Sequence, residues 1–154
     1  MRAMYTLCPQ EGLHLSENLE SFVSNNRYNG DYIEQWMAEK LSAKGIRTFG
    51  DLKGNVISPS NRKGYRTRMI AVDTKRAKVI TLPDDLLYYG IDPDSFEVAR
   101  AVRMSTSAPF IFKPVELKYK KDGMEKTTYI IDGGVLDNFP TWLFNKSTYP
   151  LVGF

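Results

Sequence analysis

The chain has 154 residues, 42% of them apolar and 25% charged, which is typical of one globular domain and excludes a multidomain, disordered or fibrous protein. Its 21 lysines and arginines against 18 acids leave a net charge of +3, too small a bias to indicate nucleic acid as a partner. The single cysteine, Cys8, excludes an internal disulfide, and no apolar stretch approaches the roughly 20 residues that cross a bilayer.

The first half of the chain predicts one helix and one β-hairpin. Residues 1–27 show no sustained period and are predicted to be irregular, with room for a short helix over residues 16–24. Asp31 and Glu34 form a capping box ahead of a helix that Gly45 ends, with an apolar face comprising Ile33, Trp36, Met37 and Leu41. After a loop over residues 50–64, residues 65–72 predict a central strand and residues 79–82 a strand that returns beside it.

The second half predicts a helix, a second hairpin and a last helix. Asp92 and Pro93 open a helix over residues 93–104. Alternation from Val115 to Tyr119, a turn at residues 122–123 and the run that ends at residue 131 predict the clearest hairpin of the chain. A helix through residues 142–144 follows, and residues 150–154 have the composition of another strand. This mixed order of strands and helices indicates an α/β architecture.

The sharpest local signal is Asp132-Gly133-Gly134, a carboxylate at the end of an apolar strand followed by two glycines. Ligands bind at the carboxyl ends of strands in open α/β sheets, and glycines there allow a backbone or a substrate to approach closely. Asp132 is therefore a candidate catalytic residue. A capped turn is the alternative, because Asp and Gly are common in connections between strands and helices.

A helix, a Ser-x-Ser-x-Pro segment and the Asp-Gly-Gly turn follow one another in a fairly specific combination. The helix and the serine segment occupy residues 99–110, Phe112 and Pro114 come next, and Asn138 and Pro140 follow the turn. Together they resemble the latter half of a patatin-like phospholipase domain, from about Tyr28 to the C-terminus. The resemblance implies an incomplete three-layer α/β domain with a central, mostly parallel sheet, in which residues 28–154 form the C-terminal portion and the N-terminal strands are lacking.

The resemblance also implies a chemistry. Members of this family hydrolyse fatty-acyl esters of lipids and phospholipids with a Ser-Asp dyad through an acyl-enzyme, and the aspartate belongs to the Asp-Gly-Gly motif. Asp132 would then be the dyad base, with Gly133 and Gly134 as its turn. A carboxylate that accepts the serine proton needs no histidine. The one histidine, His14, is predicted to be a structural or surface residue.

The sequence departs from the family at the nucleophile. No serine has glycine both two residues before and two residues after it, and no glycine-rich oxyanion loop is present. We therefore expect a portion of an acyl hydrolase that is inactive alone, since its base has no nucleophile to activate. The alternative is a non-catalytic α/β remnant that binds lipid or protein. Ser105 and Ser107 follow a helix, not a strand, and are predicted to cap the helix end and pack.

Basic residues form two groups, one near the second hairpin and one before the central strand; they are Lys113, Lys118, Lys120, Lys121 and Lys126, and Arg62, Lys63, Arg66 and Arg68. Peripheral contact with an anionic membrane would use such groups, but lysines that protect an edge strand explain the hairpin and rank first. Arg100 and Arg103 lie three residues apart on one helix and would face either an acidic lipid headgroup or water, of which the solvated face is the prediction. No cofactor or metal motif is present, and the lack of a secretory signal predicts a cytoplasmic location, with membrane association as the alternative.

Overall fold

The computed structural model of the chain describes residues 28–54, 61 and 63–144. Its helices and strands are α1 (Asp31–Ser42), β1 (Met69–Asp73), β2 (Lys78–Leu82), α2 (Val98–Ser105), β3 (Val115–Lys121) and β4 (Met124–Asp132). Short 3₁₀ helices occupy Phe49–Leu52, Asp84–Tyr89, Gly133–Val135 and Thr141–Phe144. The predictions for residues 1–27, with His14, and for residues 150–154 lie outside the described residues.

The four strands form one sheet in the order β2-β1-β4-β3, and every neighbouring pair is antiparallel. The expectation of a mostly parallel sheet is therefore wrong for the described part of the chain. Parallel neighbours need a crossover of a dozen or more residues, whereas only residues 74–77 join β1 to β2 and residues 122–123 join β3 to β4. Both predicted hairpins are confirmed, and β1 is central as predicted because it pairs on both sides.

The core lies between one face of the sheet and α2, which contacts β1 and β4, while α1 packs on α2. Fully buried side chains fill this space, among them Phe49, Ile80, Leu86, Met104 and Ile130. Burial alternates along β3 as expected for a strand with one covered face. The mixed α/β class is thus confirmed, and no described helix has the length and apolar character needed to cross a membrane.

Two helix starts differ from their predictions. Gly30, with φ 75°, is the N-cap of α1, and Asp31 lies in the first turn with its N–H donating to Asn29 Oδ1 at 3.2 Å, so the predicted capping box does not form. The helix predicted from residue 93 begins only at Val98. The Asp92 carboxylate instead accepts the backbone N–H groups of residues 94 and 95 in a turn, which competes with the helix.

Candidate active site

Asp132 is the last residue of β4, half-buried, and lies opposite Ala71 of β1. Its backbone N–H donates to the Ser107 carbonyl at 3.0 Å, which ties the strand end to the segment after α2. Its Oδ1 accepts the Gly134 N–H at 2.8 Å, and its Oδ2 makes no hydrogen bond within the described part of the chain. The turn thus holds the carboxylate by one oxygen and leaves the other available to a donor from outside.

Space requires glycine at the first of the two positions after Asp132. A Cβ on the buried Gly133 would lie 2.5 Å from Ile70 Cγ1 and 2.7 Å from the Ile70 carbonyl oxygen. A Cβ on Gly134 would lie 2.9 Å from Asn138 Oδ1 and 3.3 Å from Asp132 Oδ1. Glycine at position 133 therefore lets Ile70 of β1 approach the turn closely, whereas a Cβ at position 134 would meet only the ends of side chains among its nearest neighbours. The contact of Asn138 with the turn was not predicted, since it depends on how the chain folds back after residue 134.

Neither Ser105, the last residue of α2, nor Ser107 hydrogen-bonds to the Asp132 carboxylate in the described structure. Ser107 is fully buried, and its Oγ donates to the Arg103 carbonyl at 2.5 Å and accepts a bond from Arg103 Nη1. The helix-end hydrogen bonding predicted for Ser107 is confirmed. Ser107 contacts Asp132 through its backbone carbonyl. This contact was not predicted, because the residue type does not indicate which backbone carbonyl accepts a hydrogen bond.

Arg103 is not solvated, so that prediction is wrong. Its side chain is buried and donates to Ser107 Oγ, to the Asn29 carbonyl and to the Lys113 carbonyl, the last at 2.7 Å. Burial lowers the pKa of the Arg103 guanidinium, and no carboxylate among the described residues pairs with it. Arg100 remains half-exposed and pairs with Glu34 at 3.5 Å. Three oxygens that converge from separate segments offset the desolvation of the Arg103 charge.

Exposed apolar side chains occur on two segments of the chain, one that follows Ser107 and one that follows Gly134. They are Phe110, Ile111, Val135, Leu136, Phe139 and Trp142. The second segment is fixed by Asp137, whose carboxylate accepts the Phe139 N–H at 3.2 Å and the Trp142 Nε1–H at 2.5 Å. The chain after Ser107 and the chain after Gly134 thus both expose apolar side chains. Across the described ranges, no cluster of His, Cys, Asp and Glu is suited to hold a metal ion.

Comparison with known proteins gives two matches. The family model described as patatin-like phospholipase matches residues 9–145, so the match begins inside the N-terminal segment 1–27 that the sequence analysis sets apart. A protein of Bacillus subtilis (strain 168), uncharacterized protein YqhO, is 49% identical over 128 residues, which cover 82% of this chain and 39% of the relative. The chain therefore spans about two fifths of the length of this relative.

Proposed function

The chain belongs to the patatin-like phospholipase family, and we propose that it is the aspartate-bearing portion of a lipid acyl hydrolase with Asp132 as the base of a Ser-Asp dyad. One observation carries the proposal. Asp132 Oδ1 is held by the Gly134 N–H, and Oδ2 has no partner among the described residues. A carboxylate that only caps the turn needs the bond from Gly134. A general base also needs an oxygen that can accept a proton, and Oδ2 can supply it.

The proposed reaction has two steps. A serine hydroxyl attacks the ester carbonyl while Asp132 Oδ2 accepts its proton, and the alcohol leaves with that proton as the acyl-enzyme forms. Water then attacks the acyl-enzyme and gives a proton to Asp132, which returns it to the serine as the fatty acid is released. Gly134 contributes by fixing Oδ1, so that the carboxylate keeps one orientation during both transfers.

The nucleophile is assigned to a segment outside these 154 residues, because the sequence contains no Gly-x-Ser-x-Gly turn. The relative's greater length is consistent with this assignment. Residues 28–154 are our proposal for the C-terminal portion of the catalytic domain. The exposed apolar residues on the segments that follow Ser107 and Gly134 support a substrate with an acyl chain, since apolar contacts dominate sites for such ligands.

The test compares this chain alone with the chain joined to the part of YqhO that the match leaves uncovered. Hydrolysis of p-nitrophenyl butyrate and of dioleoylphosphatidylcholine is measured for both. We expect no hydrolysis by the chain alone and turnover by the joined protein. Asp132→Asn should lower kcat/KM of the joined protein by about 100-fold or more, since a positioned base contributes that much.

Glu39→Gln is the matched control, because it removes the same single charge at an exposed position of α1. The control should hydrolyse both esters at the rate of the unsubstituted protein. An Asp132→Asn protein that keeps this rate would remove Asp132 from the dyad. A folded joined protein that cleaves neither ester would favour the non-catalytic binding remnant.

A further inference from the structure

Both hairpin turns point in the same direction along the strands, away from the end of β4 that carries Asp132. β1 and β4 run antiparallel with Asp73 opposite Ile130, so the end of β1 and the start of β4 point the same way. We name residues 73–78 and 118–126 the hairpin edge. It carries seven cations against three acids, a surplus of four compared with a net charge of +3 for the whole chain; the cations are Lys75, Arg76, Lys78, Lys118, Lys120, Lys121 and Lys126.

A buried carboxylate fixes the first turn of the hairpin edge. Asp73 is fully buried, and its Oδ1 accepts the backbone N–H groups of Lys75 at 3.0 Å and Arg76 at 3.1 Å. The same carboxylate accepts the Thr128 hydroxyl at 2.6 Å and the Tyr89 hydroxyl at 2.5 Å. Asp73 therefore fixes the backbone that carries Lys75 and Arg76, while its own carboxylate is buried below the surface.

Two cations of the hairpin edge converge on one aromatic ring. Arg76 Cζ lies 3.7 Å and Lys121 Nζ lies 3.8 Å from the ring centroid of Tyr88. Arg76 Nη1 also donates to the Tyr89 hydroxyl at 3.3 Å, which fixes its guanidinium. In the described structure neither cation forms an ion pair with a carboxylate. Asp73 attracts Arg76 and Asp122 attracts Lys121 at longer range, and the face of the Tyr88 ring attracts both cations.

Apolar side chains are exposed among these cations. Leu87, Tyr88 and Met124 are 57%, 42% and 59% exposed. Met124 lies opposite Lys121 in the β3–β4 pairing, and the 3₁₀ helix that carries Leu87 and Tyr88 contacts β3. The positive hairpin edge, which carries Met124, thus lies beside a 3₁₀ helix that exposes Leu87 and Tyr88.

We propose that the hairpin edge is a docking surface for an anionic lipid membrane. Lysines and arginines near such a surface are attracted by acidic headgroups, and exposed apolar side chains enter the boundary between headgroups and acyl chains. A soluble polyanion would satisfy the charges and leave Leu87 and Met124 in water, whereas a bilayer interface satisfies both. Docking at this edge does not involve Asp132, so it stands or falls independently of the proposed hydrolysis.

The test is sedimentation of the full chain with vesicles of phosphatidylcholine alone and with phosphatidylcholine containing phosphatidylglycerol. We expect binding to the anionic vesicles that weakens as salt is raised. Replacing both Lys120 and Lys121 by Gln should weaken binding about 25-fold, since each cation near an anionic surface contributes about fivefold. The matched control replaces Lys40 and Lys44 by Gln, which removes the same charge from exposed positions at the end of α1.

A third variant separates a membrane from a soluble polyanion. Replacing both Leu87 and Met124 by Ser should weaken binding to the anionic vesicles and leave retention on a heparin column unchanged. The proposal is overturned if the anionic vesicles bind no better than the neutral ones, or if both lysine variants weaken binding equally. It is also overturned if the serine variant binds vesicles as the unsubstituted chain does. Circular dichroism of each variant confirms that it is folded.

Discussion

Gly133 is where the Asp132 turn touches the neighbouring strand. Because a Cβ there would overlap both the side chain and the carbonyl of Ile70, and because the φ of Gly133 is not positive, the requirement for glycine is steric. We predict that Gly133→Ala lowers the free energy of unfolding by about 1–3 kcal/mol, as overpacking in a core does. Urea unfolding followed by circular dichroism measures this change.

Gly54→Ala is the control for this prediction. Among the described residues, the atoms nearest to a Cβ at Gly54 belong to the side chain of the exposed Arg66, which can move aside. Its unfolding free energy should change by less than about 0.5 kcal/mol. Equal losses in the two variants would mean that the close approach of Ile70 is not what requires glycine at position 133.

At the scale of elements, Arg103 joins three parts of the chain. Its guanidinium bonds to Asn29 before α1, to Ser107 after α2 and to Lys113 before β3. Since Ser107 in turn accepts the Asp132 N–H, these bonds also support the end of β4. The side chain therefore links helix packing to the position of the candidate base.

We predict that Arg103→Gln lowers the free energy of unfolding by at least about 2 kcal/mol, because it leaves buried acceptors unpaired. Amide hydrogen exchange should also show less protection at Asp132. Arg100→Gln, three residues earlier and half-exposed, should cost no more than about 1 kcal/mol because its ion pair with Glu34 is at the surface. The link through Ser107 would be refuted if Arg103→Gln left exchange at Asp132 unchanged relative to the rest of β4.

Local chemistry explains which elements the sequence predicted. The turn of the β3–β4 hairpin has φ 56° at Asp122 and 75° at Gly123, both left-handed, as the Asp-Gly pair favours. α1 was predicted from its apolar spacing, although its cap was not, because Gly30 acts there through its backbone alone. The start of α2 was misplaced because an Asp beside a Pro opens either a helix or a turn, and only the packing of residues 92–97 decides between them.

The stability of the whole molecule should depend on alkaline pH through Tyr89. Burial and the neighbouring Asp73 raise the pKa of the Tyr89 phenol well above its usual 10.0. Above pH 10 the unfolded chain therefore loses a proton that the folded chain keeps, so the unfolding free energy falls as pH rises. Below pH 10 both states are protonated, and this contribution is fully present.

Tyr89→Phe tests this linkage by urea unfolding between pH 8 and 11. We predict a shallower loss of stability above pH 10 than in the unsubstituted chain. At pH 7 the variant should be less stable by about 1–3 kcal/mol, because buried Asp73 loses a donor. Tyr32→Phe, at an exposed position of α1, should leave the pH dependence as it is. A Tyr89→Phe profile parallel to that of the unsubstituted chain would contradict the assignment.

The sequence by itself determined the α/β class, α1, both hairpins and the place of Asp132 at the end of a strand, because periodicity and turn chemistry act between residues close in the chain. The family resemblance carried the candidate site and the expectation of a parallel sheet, which the short hairpin connections already opposed. Only the tertiary structure decided the strand order, the burial of Arg103 and the bond from Asp132 to Ser107. Each of these depends on segments that are distant in sequence. The residue type alone does not indicate which backbone carbonyl accepts a hydrogen bond or which charged side chain is buried.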